Sequence, residues 1–85
     1  MGIVETRPVQ LESIADGIVK QLRESIIRGR FRPGERLSET ILAASFGVSR
    51  SPIREALLHL EMDGFVVGAP NRATCVWDPT ETDIH

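Results

Sequence analysis

The sequence predicts a mainly α-helical domain of three helices closed by a small β-hairpin. Three observations predict it. Apolar residues recur at helical spacing through Leu11, Ile14, Ile18, Leu22 and Ile26. Two further short helical segments are separated only by Gly47-Val48-Ser49. After them, two β-prone runs flank a Gly/Pro/Asn turn. With 85 residues there is room for one such core and no second.

Residues 1–10 show no periodicity and contain Pro8, so they read as an N-terminal arm. The first helix follows from Leu11, with Ala15, Val19 and Ile27 widening its stripe and Gly29 as its stop. Gly17 inside it costs roughly 1 kcal/mol relative to Ala. Arg32-Pro33-Gly34-Glu35 is a turn, because Pro presets φ at the second position and Gly tolerates the third. Arg36-Leu37 suits a very short strand. Ser38 then caps a helix from Glu39 to Phe46, whose inner face is expected to be Ile41, Leu42, Ser45 and Phe46.

Gly47 can adopt the positive φ found beyond a helix C-terminus, and Ser49 is a good N-cap for the next helix. Pro52 is tolerated there because first-turn N–H groups have no intrahelical partner. That helix, Arg50 to Met62, turns Ile53, Ala56, Leu57 and Leu60 inward and Arg50, Ser51, Arg54, Glu55 and His59 outward. His59 is expected to be a partly buried residue on the helix face. Asp63-Gly64 ends the helix. Phe65-Val66-Val67 and Ala73-Thr74-Cys75-Val76-Trp77 then form the hairpin, with Arg72 at its tip. The domain closes at residue 77, and residues 78–85 read as a linker.

A short helix, a glycine turn and a second helix with basic first turns is how a helix-turn-helix meets a DNA major groove. Arg50 and Arg54, four apart, project from one face. Their bland alternative is a solvated face with local pairing, to Glu55 or Glu61. A hairpin directly after such a helix is a wing, and Arg72 has the chemistry to meet a backbone or minor groove. The net charge of −2 hides a segregated distribution. Lys20 to Arg72 holds nine of the ten basic residues against six acids, or +3, while the ends sum to −5. Local field matters more to a polyanion than the total.

Other functions find little support. No Ser/His/Asp or Cys/His set exists and no glycine-rich phosphate loop precedes a helix, so the chain is not expected to be an enzyme. Cys75 is the single cysteine and suits a packed position. His59 and His85 lack companion ligands, so no metal site is expected. There is no run of about 18 apolar residues to span a membrane and no secretory pattern, which makes the cytoplasm the expected location. The alternative from a different class is a winged helix used only for protein–protein contacts.

The same residues resemble the N-terminal domain of GntR-family bacterial transcription regulators. The resemblance rests on Arg28-Gly29-Arg30-Phe31-Arg32-Pro33-Gly34-Glu35-Arg36-Leu37, on Gly47 through Leu57, on Leu60-Glu61-Met62-Asp63-Gly64-Phe65-Val66 and on Pro70-Asn71-Arg72. Gly34-Glu35-Arg36-Leu37-Ser38-Glu39 and Arg50-Ser51-Pro52-Ile53-Arg54-Glu55 are similar to the FadR-type branch. It implies a winged helix-turn-helix that binds double-stranded DNA. The whole protein would be a homodimeric repressor or activator on near-palindromic operators, answering a small-molecule effector through a further C-terminal domain. No cofactor is implied for the portion present here, and its own oligomeric state is expected to be monomeric or weakly dimeric.

Carried over residue by residue, the resemblance makes Arg50 and Arg54 base contacts, Ser49 and Ser51 phosphate contacts, and Asn71 and Arg72 the wing tip. Where some relatives carry a DNA-contacting arginine early in the second helix, this chain has Thr40, which can bond a phosphate but cannot bracket a guanine. Ala73 stands where the wing often has glycine. Arg32 and Arg36, near the turn before the helix-turn-helix, can help orient the duplex.

Overall fold

A computed structural model describes residues 13–69 and 72–80. The expected arm, Leu11, Asn71 and residues 81–85 lie outside the described residues. The elements run α1 (Ile14–Ile27), β1 (Arg36–Leu37), α2 (Glu39–Phe46), α3 (Arg50–Met62), β2 (Val66–Ala69) and β3 (Arg72–Val76).

α1 begins with a reciprocal cap. The Ser13 hydroxyl accepts from the Asp16 N–H at 3.0 Å, and the Asp16 carboxylate accepts from the Ser13 N–H at 3.3 Å. Its buried stripe is Ala15, Ile18, Val19 and Leu22, with Ile26 packed at the margin. Ile14 and Ile27, expected in the stripe, are 63% and 67% exposed. At about 100° per residue they fall on either side of a stripe narrowed by contact with α3.

The turn before β1 closes with the Glu35 N–H donating to the Arg32 carbonyl at 2.9 Å, and Gly34 takes φ +81°. The Arg32 N–H donates to the Glu35 carboxylate at 2.8 Å. Two backbone bonds, Gly34 N–H to Val76 O at 2.9 Å and Val76 N–H to Glu35 O at 2.8 Å, fasten the turn to β3. β1 therefore joins the wing, with Arg36 opposite Cys75 and Leu37 opposite Thr74. The expected two-stranded hairpin is a three-stranded antiparallel sheet of order β1-β3-β2.

The hairpin strands are also displaced from expectation. β2 starts at Val66 because the Phe65 N–H is engaged by the Leu60 carbonyl at 2.9 Å, part of the α3 C-terminal closure. Arg72, expected at the tip, is the first residue of β3, opposite Ala69. Beyond β3, the Asp78 carboxylate accepts from the Thr80 hydroxyl at 2.7 Å and the Thr80 N–H at 2.9 Å. These bonds, the hydroxyl's first, hold the exposed Asp78 carboxyl below the ordinary carboxylate pKa.

α3 is the centre of the core: α1 and α2 both pack on it, and β2 follows it. Ile53, Ala56 and Leu60 are fully enclosed, with Leu57, Leu42, Leu37, Val66 and Val76 around them. No polar side chain is buried among the described residues. On α2 the inner face is Leu42 and Ala43, with Phe46 at its edge, rather than the expected set containing Ile41 and Ser45. Ile41 and Ser45 lie one turn apart on the outer side, with Ile41 66% exposed. In a helix of two turns, the surface of α3 decides which apolar residues are covered.

Candidate nucleic-acid interface

The candidate site is the outer face of α3 where it meets the start of α2. Gly47 makes the join possible: at φ +70° it lets the chain leave α2, while the Val48 N–H closes back on the Ala43 carbonyl at 3.0 Å. Ser49 then enters α3 in an extended conformation, φ −74° and ψ 174°, with no side-chain cap hydrogen bond. One of the two possible donors is missing. An N-cap hydroxyl accepts from the N–H of the second or third helical residue, and the third here is Pro52, which has none. The Ser51 N–H is not used either, so the Ser49 hydroxyl is not engaged by its own helix.

With Ile53, Ala56, Leu57 and Leu60 turned into the core, Arg50, Ser51, Arg54 and Glu55 are exposed on the opposite side, as their spacing predicts. His59 lies on the outer side its spacing predicts, one turn after Glu55, and is exposed there rather than partly buried. Arg54 pairs with neither Glu55 nor Glu61. Its Nε donates to both carboxylate oxygens of Glu39 at 3.3 Å, and its Nη2 donates to Oε1 at 3.2 Å. The pair bridges the first residue of α2 and the second turn of α3. The Arg54 side chain still keeps 59% of its surface exposed, against 32% for Glu39.

Thr40, the second residue of α2, is exposed beside Glu39. Ser38 is committed elsewhere, accepting from the Ile41 N–H at 3.2 Å. Arg32 and Arg36 are exposed on the turn and on β1, a segment whose backbone bonds go to β3. The structure thus brings Ser49, Arg50, Ser51, Arg54 and Thr40 to one region of the helix-turn-helix. Arg72 begins β3, and Asn71 lies outside the described residues. Glu39 is the residue that sequence reasoning missed. As an acid in the first turn of α2 it suits the helix dipole, and that local reading conceals a partner 15 positions away. At the C-cap of α1, Arg28 makes an exposed 3.9 Å pair with Glu24, an ordinary surface contact.

Among the described residues no three of His, Cys, Asp and Glu could hold a metal ion. None of the described helices is long and apolar enough to cross a membrane.

The chain is similar to known proteins in sequence and in fold. The chain is 48% identical over 64 residues to the HTH-type transcriptional regulator YdhC of Bacillus subtilis, itself uncharacterized, covering 75% of this chain and 29% of YdhC. It is 34% identical over 73 residues to the HTH-type transcriptional repressor RspR of Escherichia coli, covering 86% of this chain and 32% of RspR. A GntR-family transcriptional regulator of Pseudomonas syringae pv. tomato superposes with a TM-score of 0.70 at 34% identity, over 89% of this chain and 31% of that one. The chain therefore spans about a third or less of the length of these curated relatives. The family model for bacterial regulatory proteins of the gntR family matches residues 14–76, from the first residue of α1 to the last of β3. By that match, this chain belongs to the gntR family of bacterial regulatory proteins and is its helix-turn-helix domain.

Proposed function

We propose that this domain reads double-stranded DNA as the operator-binding end of a bacterial transcription regulator, with α3 in the major groove and the wing beside the minor groove. One observation carries the reading. The first two turns of α3 expose Arg50, Ser51 and Arg54 on one side while Ile53, Ala56 and Leu57 anchor the other in the core. A basic face held on a packed helix is what base-edge recognition requires. RspR, a relative of the same domain, is a transcriptional repressor.

In this reading Arg50 and Arg54 contact bases, and Ser49, Ser51 and Thr40 bond phosphates. Asn71 and Arg72 reach the minor groove from the wing, while Arg32 and Arg36 help orient the backbone. The unclaimed Ser49 hydroxyl favours its phosphate role, since no helix N–H competes for it. The whole regulator would be a cytoplasmic homodimer of the FadR-type branch on a near-palindromic operator, with an effector-binding C-terminal domain. A two-fold protein matches a two-fold site.

Duplexes selected from a random pool, compared with unselected DNA over a range of salt, test this. Arg50→Ala and Arg54→Ala should each reduce the preference for selected DNA by about 1–3 kcal/mol. Arg72→Ala should weaken binding to all sequences and lower the salt slope by about 1. Absence of salt-sensitive binding to any duplex would overturn the proposal in favour of a protein-docking winged helix.

A further inference from the structure

The contact between Glu39 and Arg54 has a direction that matters for recognition. A guanidinium carries five N–H donors on a rigid planar fork. Glu39 occupies one edge of that fork, the side formed by Nε and Nη2. The other edge, Nη1 with the second hydrogen of Nη2, carries two parallel donors. That spacing matches the O6 and N7 acceptors of guanine. The exposure left to Arg54 agrees with an outward-facing edge.

We infer that Glu39 is a positioning residue for sequence readout: it holds the inner edge of the Arg54 guanidinium so that the terminal edge meets guanine. The inference rests on the DNA-reading role proposed for Arg54. Two features separate Glu39 from an ordinary surface ion pair. It engages Nε as well as Nη2, so it restrains the rotation of the fork and not only its location. It also sits on a different helix, across the Gly47 turn, so the restraint refers Arg54 to the frame of the whole helix-turn-helix. A long, rotamer-rich side chain ordered before DNA arrives has less freedom to lose on binding. A carboxylate beside phosphates repels them, so its presence costs general affinity. The gain must therefore lie in selectivity.

The test uses the 85-residue chain and a pool-selected duplex in which each guanine is replaced singly by adenine. The guanine whose replacement no longer matters in Arg54→Ala is the one Arg54 reads. At that guanine Glu39→Ala should cut the guanine-over-adenine preference about tenfold, within the range a bidentate contact sets. Preferences at the other guanines should stay intact, and affinity for unselected DNA should hold or rise. Adding Glu39→Ala to Arg54→Ala should remove nothing further. Should Glu39→Ala lower the melting midpoint into the assay range, the near-isosteric Glu39→Gln carries the test, with a smaller loss because one oxygen still accepts. In the free protein, the Arg54 Nε–Hε resonance should shift and exchange faster with solvent in Glu39→Ala.

An equal change of affinity on every duplex, with the preference at Arg54's guanine preserved, overturns the inference and leaves Glu39 as a local charge. An Arg54 Nε–Hε signal indifferent to Glu39 also overturns it. If Arg54→Ala flattens no guanine at all, the base-reading role itself fails, and the inference falls with it.

Discussion

The starts of α2 and α3 are built from the same signal and end in different states. Each helix follows a serine in extended conformation, Ser38 at φ −93° and ψ 124°, Ser49 at φ −74° and ψ 174°. Ser38 closes its helix by accepting from the Ile41 N–H. Ser49 does not, and the third residue of α3 is a proline with no N–H to offer. The isoleucines of the two first turns differ as well: Ile41 is 66% exposed and Ile53 fully buried. α2 is thus closed by polar contacts at its start and loosely covered on its outer side. α3 is anchored by its core face, and its hydroxyl and arginines are turned outward. The lesson is that a helix can be held by burial at the end where its first serine makes no cap.

The largest expected effect probes that anchoring. Ile53→Ala should destabilise the domain by about 2–5 kcal/mol, and Ile41→Ala should change stability by less than about 0.5 kcal/mol. Urea unfolding of the two variants measures the contrast directly, and similar losses would break it. The joint between the helices comes next. A Cβ at Gly47 would meet nothing within 4 Å, so Gly47→Ala is expected to cost only the left-handed backbone, about 1–2 kcal/mol. A smaller loss for Gly47→Asn in thermal melts would identify the cost as conformational. Ser38→Ala should then cost about 1 kcal/mol, the ordinary value of a working cap, read from the same denaturant midpoints.

Much of this contrast was legible in the sequence, and the reason is locality. The bounds of α2 and α3, the strand at Arg36-Leu37 and the outward placement of Arg50 and Arg54 depend on caps, stops and period, all within a few residues. What escaped depends on parts distant along the chain. β1 pairs with β3 nearly forty residues later, and no pattern within Arg36-Leu37 names its partner. The Glu39–Arg54 pair crosses a turn and joins two helices. Ile41 and Ala43 could each have faced inward, and only the surface of α3 chose Ala43. Pro52 is a different case, for its consequence was local. A proline tolerated because it lacks an N–H also lacks the N–H that the preceding serine needs.

That last point yields the smallest and most specific effect. If Pro52 is what keeps the Ser49 hydroxyl out of its helix, Ser49→Ala should cost the native chain only a few tenths of a kcal/mol. Pro52→Ala restores a donor at the third position, and the cap it allows offsets the greater freedom of the unfolded chain, leaving stability within about 0.5 kcal/mol. In that background Ser49→Ala should cost about 1 kcal/mol, as Ser38→Ala does in α2. The double-mutant cycle therefore predicts a coupling of about 0.5–1 kcal/mol between two residues that share no hydrogen bond in the native structure. Additive behaviour would mean that the geometry of the α3 entry, and not the missing N–H, turns the hydroxyl away. Coupling of the expected size would mean that one proline separates a serine that closes a helix from a serine left free to bind.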